Sequence, residues 1–331
     1  MASNDQELNF PIAFYEDISI IKLPERLTVL EAIAFKHTCH EVLDRYSIEQ
    51  LTLDFGNTKF IDSSGIGALV NNFKAAENQK VKLVLTNVNP PVMAVLSMTG
   101  LDNILAIESG NCEQSSPSNF NYEPELPTTH PSVRSPVKRI IDIIGAIVGL
   151  SITSFLFVPI AIAIKLDSPG PIFFAQTRCG WLGKKFTMWK FRSMCNNAEF
   201  LKKEIPNQAS GAFFKNEKDP RITKVGKFLR RTSLDELPQF LNVLKGDMSL
   251  VGTRPPTPGE VELYQVPQWQ RLNVKPGMTG EWQVNGRSQV RNFEDVIALD
   301  LKYQRNWSLA YDLRLIIRTI LILFHKDSGA V

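Results

Sequence analysis

The sequence predicts an α/β module joined to a mainly helical, membrane-associated domain, and three observations predict it. Strand and helix signals alternate through residues 18–107. A proline- and serine-rich stretch, Asn111–Pro136, then breaks the patterning. Beyond it, the uncharged run Ile143–Ile164 opens a basic half. At 331 residues the chain is long for one core and suggests two domains. Its 44% hydrophobic content excludes a disordered polymer. The net charge of +3 conceals a division. Residues 1–110 hold 8 basic and 14 acidic side chains (net −6), 111–135 hold 1 and 3 (net −2), and 136–331 hold 28 and 17 (net +11). An acidic module is joined to a basic one, and the basic one should meet something anionic.

The elements follow from periodicity. Ile18–Leu23 reads as a strand, and Thr28–Tyr46, with Val29, Ile33, Val42 and Leu43 at helical spacing, as a helix. Leu51–Phe55 is a buried strand, Gly65–Glu77 a helix, Val81–Leu85 a strand and Pro91–Met98 a short helix. Strand–helix alternation with short connections indicates a mixed or parallel sheet. The segment 111–135, with its prolines, is a locally stiffened linker. The domains are therefore 1–110 and 136–331.

Within the first module, Asp62-Ser63-Ser64-Gly65 opens a helix after a buried strand. Aspartate and serine cap helices by accepting from free first-turn amides, which accounts for the string locally. The stretch Leu51–Val70 and the element order over 18–107 also resemble the STAS domain of anti-sigma-factor antagonists and sulfate transporters. The resemblance implies a docking or regulatory module that supports protein partners or self-association. It places a phosphorylation switch at Ser63, where a phosphate would meet helix amides. The cluster His37-Thr38-Cys39-His40, with Glu41, allows a metal site on one helical face, but no second ligand cluster follows. Cys39, Cys112, Cys179 and Cys195 show no CxxC spacing and fit reduced thiols. Met1–Glu7 is polar and acidic, unlike a secretory signal, so the first module is expected in the cytoplasm.

The run Ile143–Ile164 would form a helix of roughly 33 Å, enough to cross a bilayer core. Lys138 and Arg139 precede it, and Lys165, Arg178, Lys184 and Lys185 follow, so positive charge on both sides disfavours either crossing orientation. Pro159 inside the run removes a backbone hydrogen bond and bends the helix. These features predict a re-entrant helix, about residues 137–166, that enters and leaves on one face. The stretch Tyr311–Phe324, with Arg314 and Arg318 four apart among leucines and isoleucines, suits either an interfacial helix or a core helix.

Basic residues recur beside glycine and proline in Trp189–Met194, Asp219–Thr223, Gly226–Arg231, Ser249–Pro255 and Lys275–Gly280. Guanidinium forks on loops suit phosphates. No nucleic-acid reader motif accompanies them, so a smaller anion is favoured over nucleic acid. Among them stands Thr232-Ser233-Leu234-Asp235-Glu236-Leu237-Pro238. Ser233 and Glu236 have capping-box spacing, which is the first reading of the string. The neighbouring carboxylates could equally act as a nucleophile and a base, or hold a divalent cation.

The strings LDSPGPIFFAQTRCG, KFRSM, DPRITKVGKFLRRTSLDELPQFLNVLKGDMSLVGTRPP and KPGMTGEWQVNGRS resemble, in order and nearly end to end over 136–331, the bacterial sugar transferases, monotopic phosphoglycosyl transferases that begin lipid-linked glycan assembly. The resemblance implies transfer of a sugar 1-phosphate from a UDP-sugar to polyprenyl phosphate with release of UMP. It implies a re-entrant helix, a cytoplasmic-face location at the bacterial inner membrane, and contact with membrane lipid. Asp235 is then the nucleophile, forming an aspartyl-phosphosugar intermediate and contacting Mg²⁺, and Glu236 the base for the lipid phosphate. Arg254 leads the phosphate-binding candidates, followed by Lys190, Arg192, Arg221 and Arg287, each of which could instead form a structural ion pair. The sequence departs from the family at Val158, where many relatives have serine, and at Thr253, where proline commonly precedes the arginine. A contrasting reading is a membrane-anchored signalling or scaffold protein that binds without turnover. The intact Asp235-Glu236 pair argues against it.

Overall fold

The computed structural model describes residues 10–108, 129–201, 205–208, 216, 219–285 and 292–324. They divide into two compact units. The first holds residues up to Thr129 together with Leu182–Lys184 and Tyr264–Asn273, and the second holds the remainder.

The first unit begins with β1 (Ile12–Tyr15), β2 (Ile18–Lys22), β3 (Arg26–Leu27) and α1 (Val29–Arg45). It continues through β4 (Gln50–Asp54), β5 (Phe60–Ile61), α2 (Ser63–Asn78), β6 (Lys82–Thr86), α3 (Pro90–Thr99) and β7 (Ala106–Glu108). The main sheet runs β1-β2-β4-β6-β7, with β1 antiparallel to β2 and the other pairings parallel. The α/β expectation holds for this region. Parallel strands covered on both faces read as continuous apolar runs, and Leu51, Leu53, Leu83, Val84 and Leu85 are buried accordingly. Glu31 accepts from the Thr28 amide at 3.1 Å and closes a capping box on α1. Asp62 accepts from the amides of Ser64 and Gly65 at 2.8 and 3.0 Å, so the string 62–65 does cap α2. Asp62 does the capping, and Ser63 is the first helical residue. The segment Val266–Asn273, in 3₁₀ turns, packs on α1 and α2. His37 and His40 gather no site: no group of three or more His, Cys, Asp or Glu side chains able to hold a metal forms among the described residues.

The second unit opens with α4 (Pro131–Arg134) and α5 (Pro136–Asp167), followed by the antiparallel hairpin β8 (Phe173–Cys179) and β9 (Lys185–Phe191). Next come α6 (Ala198–Leu201), α7 (Lys224–Arg231), the 3₁₀ turn Leu234–Gln239, α8 (Phe240–Lys245), β10 (Ser249–Val251) and α9 (Pro258–Glu262). The unit closes with β11 (Gly277–Thr279), parallel to β10, then α10 (Glu281–Asn285), α11 (Phe293–Arg305) and α12 (Leu309–Phe324).

Among the described residues, α5 is the one helix long and apolar enough to cross a membrane, and only 28% of its apolar window is buried. Its 32 residues run through Pro159. Ala146, toward its start, joins a core with Met188, Val243 and Met248; Ile160 and Ile164, toward its end, join one with Phe191 and Leu229. Between and around them Ile147, Val148, Ile152, Phe155, Val158 and Ile162 are exposed. Both ends of the helix are thus packed against the same unit, and in its middle Gly149, Leu156 and Phe157 continue that packed face while the other face is exposed.

Lys138 and Arg139, read from sequence as free positive flanks, are internal braces. Lys138 is buried and donates to Asp312 Oδ2 at 2.6 Å and to the Val251 carbonyl at 3.0 Å. Arg139 donates to the carbonyls of Val243 and Leu244 at the end of α8, both at 2.7 Å. Removing one partner of a buried pair leaves an uncompensated charge. Asp312→Ala should therefore destabilise the protein by about 3–5 kcal/mol. The double change Lys138→Met with Asp312→Leu should recover most of that loss. Thermal unfolding in detergent micelles measures both.

Candidate active site

The Asp235-Glu236 pair sits on the 3₁₀ turn Leu234–Gln239, between α7 and α8. At three residues per turn, positions i and i+3 eclipse. Leu234 and Leu237 accordingly share one side and pack with Ile160, Ile164, Phe191 and Leu229. The leucines fix the turn, and the carboxylates occupy its other directions. Asp235 is buried, and Glu236 is half-buried. The capping-box reading is corrected here. Ser233 lies in the left-handed region at φ 54° and makes no side-chain cap bond, so the segment is not the start of an α-helix. Glu236 instead pairs with Lys190 on β9 at 2.8 Å.

Beside the turn lies a cleft of about 330 Å³ whose lining includes Arg178, Lys190, Arg192, Arg221, Arg230 and Arg254. Three sequence candidates, Lys190, Arg221 and Arg254, enter it with carboxylate partners. Arg254 makes a two-point contact with Glu260, at 2.9 and 3.0 Å. Glu260 is itself held by the Thr257 amide in a capping box on α9. Arg221 is fixed by Asp219, with Nη2 to Oδ2 at 2.6 Å, and by the Ala198 carbonyl at 3.0 Å. Arg192 closes the C-terminal end of α5, donating to the carbonyls of Ser168 and Pro169 at 2.6 and 2.7 Å. Its Nε is buried without a hydrogen-bond partner among the described atoms. Arg287 lies outside the described residues.

Sequence reasoning missed two cations of this cleft. Arg178, counted only as a flanking charge of the apolar run, is a half-buried guanidinium whose described hydrogen bonds go to neutral groups. They are Gln176 Oε1 at 2.6 and 3.0 Å and the Pro255 carbonyl at 2.8 Å. Burial and the like charge of Arg254 lower its pKa to about 10, so its charge is under-compensated in the free protein. Arg230 donates to Ser193 Oγ at 3.0 Å. Burial lowers its pKa too, with the charges of Asp235, Asp219 and Glu236 pulling the other way. Arg230 stands in a string read as a phosphate loop, Gly226–Arg231, but spacing did not separate it from its neighbours, and Arg178 lies in none of those strings.

The glycines of these strings have a different task from contacting phosphate. A Cβ on Gly252 would lie 2.2 Å from the Lys275 carbonyl, and one on Gly277 would lie 2.1 Å from the Gly252 nitrogen. Only bare backbone lets β10 and β11 cross so closely. That crossing, with the Gly277 amide donating to the Thr253 carbonyl at 2.9 Å, sets the direction in which Arg254 leaves the strand.

The sequence model of the family described as bacterial sugar transferase matches residues 133–326, more than half of the chain, and that of the STAS domain matches residues 9–114. The chain belongs to the bacterial sugar transferase family. It is 50% identical over 188 residues to the galactosyl transferase CpsE of Streptococcus agalactiae serotype III (strain NEM316), covering 56% of this chain and 42% of that one. It is 43% identical over 191 residues to the UDP-glucose:undecaprenyl-phosphate glucose-1-phosphate transferase of Escherichia coli (strain K12), covering 56% and 39%. The chain thus matches well under half the length of these curated relatives. A crystal structure of an anti-sigma factor antagonist from Thermotoga maritima is similar at 28% identity, covering 32% of this chain and 90% of that one, with a TM-score of 0.29. In this bacterial sugar transferase the STAS domain precedes the family's own region.

Burial pushes the Glu260 carboxyl up, but the charge and bonds of Arg254 outweigh it and hold the pKa below the ordinary value. Folding therefore favours the ionised form. The resulting stability is complete above the unfolded value of about 4.3 and is lost as pH falls through the lowered folded value. Glu260→Gln should flatten the acid limb of the stability profile while leaving its slope near neutrality unchanged, as melting temperatures measured from pH 3 to 7 would show.

Proposed function

We propose that this bacterial sugar transferase moves a sugar 1-phosphate from a UDP-sugar to polyprenyl phosphate, of which undecaprenyl phosphate is the form named in its relatives, and releases UMP. The observation that carries the reading is the juxtaposition of the Asp235-Glu236 turn with a cleft lined by six cationic side chains, in a unit that also bears an exposed apolar helix. A carboxylate that must attack a phosphate needs exactly such positive surroundings to lower the repulsion between anions. Relatives named as undecaprenyl-phosphate galactose and glucose phosphotransferases support the same substrate class.

In the proposed reaction a carboxylate oxygen of Asp235 attacks the sugar-bearing phosphorus of the UDP-sugar. The bond to the bridging oxygen breaks, and UMP leaves with its electron pair. An oxygen of the lipid phosphate then attacks the aspartyl-phosphosugar, and Asp235 departs as a carboxylate. Glu236, freed from Lys190 as the anionic substrates enter, takes the proton from the lipid phosphate. Arg178 and Arg254 hold the diphosphate, and Lys190 and Arg230 line its path. Arg192 and Arg221 act by fixing the walls around it, and Arg287 stays in the proposal as a loop contact.

The chain's residues fit Mg²⁺ as a cation that arrives with its substrate. Asp235 would supply a protein ligand, and magnesium commonly takes one or two carboxylates with substrate phosphates and water completing its shell. When bound, the cation would neutralise charge on the diphosphate.

The location proposed is the cytoplasmic face of the inner membrane, with α5 re-entrant and with residues 1–110 as the STAS docking module, 111–135 as linker and 136–331 as the transferase domain. The packing of both ends of α5 on one unit supports the same-face arrangement. On α12, Leu313, Ile317 and Leu321 are exposed beside Arg314 and Arg318, which suits an interfacial helix. The Ser63 position is retained as a regulatory site, and the STAS module as a surface for a protein partner or a second copy.

Asp235→Asn should reduce UMP release from a panel of UDP-sugars, assayed with undecaprenyl phosphate and Mg²⁺, by at least about a thousandfold, the scale of losing a covalent nucleophile. Undiminished release would refute the assignment. Arg178→Gln should raise the KM for the donor by about tenfold to a hundredfold, the scale of one charged hydrogen bond, and so separates Arg178 from a purely structural role.

A further inference from the structure

The helix start at Ser63 is occupied. Ser63 and Ser64 are fully buried, and the residue that covers them comes from the segment Tyr264–Asn273 of the same compact unit. The Ser63 hydroxyl lies 2.6 Å from both the Trp269 carbonyl oxygen and Asn273 Oδ1. The Ser63 amide donates to the same Asn273 oxygen at 3.0 Å. Asn273 also helps hold the Asp62 carboxyl down against the upward push of burial, so one amide side chain faces both residues of the turn.

The aromatic ring beside it has a matching seat. A Cβ on Gly67 would lie 2.5 Å from carbons of the Trp269 ring, and one on Gly183 would lie 3.3 Å from its far edge. The indole is thus received by two glycines, one on α2 and one in the turn Leu182–Lys184. The segment is internally closed as well: Arg271 is fully buried and donates to the Tyr264 hydroxyl at 2.8 Å. Val266, Trp269 and Leu272 are buried with it.

We propose that this docking is a charge-sensitive latch, in which Tyr264–Asn273 is the intramolecular ligand of the Ser63 turn and a negative charge at position 63 releases it. The groups within hydrogen-bonding distance of the hydroxyl are both oxygen acceptors, and the adjoining Asp62 is itself a carboxylate. A neutral hydroxyl has one proton to donate between them. An anion in its place would be buried against three oxygens, with no cation among the described hydrogen-bond partners of the turn, an arrangement that costs more than the contacts it replaces.

Chain continuity says where release would be felt. Tyr264 follows four residues after Glu260, the partner of Arg254. Asn273 precedes Lys275 and Gly277, whose backbones are crossed by Gly252. Freeing the segment would loosen both supports of the Arg254 loop. The latch itself does not depend on the transfer reaction, but this consequence rests on the donor-binding reading above.

The test is hydrogen exchange on the full chain in detergent micelles, followed by mass spectrometry. In Ser63→Asp, amides of residues 266–273 should exchange at least about tenfold faster than in the wild type, while those of β4 stay protected. Ser63→Ala, which removes the hydroxyl without adding charge, should give a smaller rise. Equal exchange at 266–273 in wild type and Ser63→Asp overturns the latch. If Ser63→Asp also exposes β4, Trp269→Ala decides, because it leaves residues 10–108 unaltered. Faster exchange at the Ser63 amide then supports the docking, and unchanged exchange there overturns it. A raised donor KM in Ser63→Asp would extend the latch to the reaction. An unchanged KM alongside faster exchange would remove that consequence and leave the docking standing.

Discussion

The second unit depends on one buried charge pair. Lys138 and Asp312 meet at 2.6 Å with side chains only 7% and 5% exposed. Desolvating two charges is costly, and their attraction offsets that cost only when the remaining donors and acceptors are also satisfied. Here they are. Lys138 also reaches the Val251 carbonyl, Tyr303 donates to Asp312 Oδ1 at 2.8 Å, and Trp307 Nε1 donates to Oδ2 at 3.1 Å. The cluster joins the first turn of α5 to β10, α11 and α12. One turn further along α5, Asp142 accepts from Ser249 Oγ and from the Leu250 amide, both at 2.9 Å, and so fixes the same strand. Since β10 leads directly into Arg254, the apolar helix and the loop of the cleft are held by one rigid joint.

The cleft itself is built on prior occupancy. Arg254 rests on Glu260, Lys190 on Glu236 and Arg221 on Asp219, so three of its six cations are already paired with carboxylates of the protein. Such pairs fix the cations in place before an anion arrives, which reduces reorganisation on binding. They also divide the cations by availability. Lys190 and Glu236 are about a quarter exposed and can part at modest cost, whereas Arg221 and Asp219 are about 95% buried and would leave an unpaired charge behind. Arg178 stands apart because, among the described residues, its guanidinium hydrogen-bonds to a side-chain amide and a backbone carbonyl rather than to a carboxylate. An entering phosphate displaces no carboxylate from it.

How much of this was legible in the sequence follows from the range of each interaction. Strands β2, β4 and β6 and helices α1, α2 and α3 were readable to within a residue or two, because burial imposes a period on the local chain. Strand β1 was not: Ile12, Phe14 and Tyr15 are exposed at the sheet edge and carry no alternation. The hairpin Phe173–Phe191 was not read as strands, and only its end was noted, in the basic string Trp189–Met194, since its register is set by pairing across the turn. Ser233 and Glu236 show the limit of a local rule. Their spacing satisfies a capping box, yet a left-handed Ser233 and the partner Lys190, 46 residues away, produce a different turn. The glycines at 252 and 277 were visible as motif letters, but the crossing that requires them joins two distant strands. Ser63 shows the same thing: the cap by Asp62 could be read at once, while its partner Asn273 is 210 residues along the chain.

Three of the charges flanking α5 are occupied within the protein. Lys138, Arg139 and Arg178 are all engaged inside the protein, so they say little about which side of a bilayer each end prefers. Packing says more. Ala146 and Ile164 enter cores of the same unit, which supports the proposed same-face helix. The exposed side chains between them, Phe155 at 83% among them, would then face lipid under that proposal. A reaction of the proposed kind joins a water-soluble donor to a phosphate anchored in that lipid. Under the proposed function the cleft would stand at the membrane surface, and the packing of both ends of α5 on the unit that contains the cleft supports that placement.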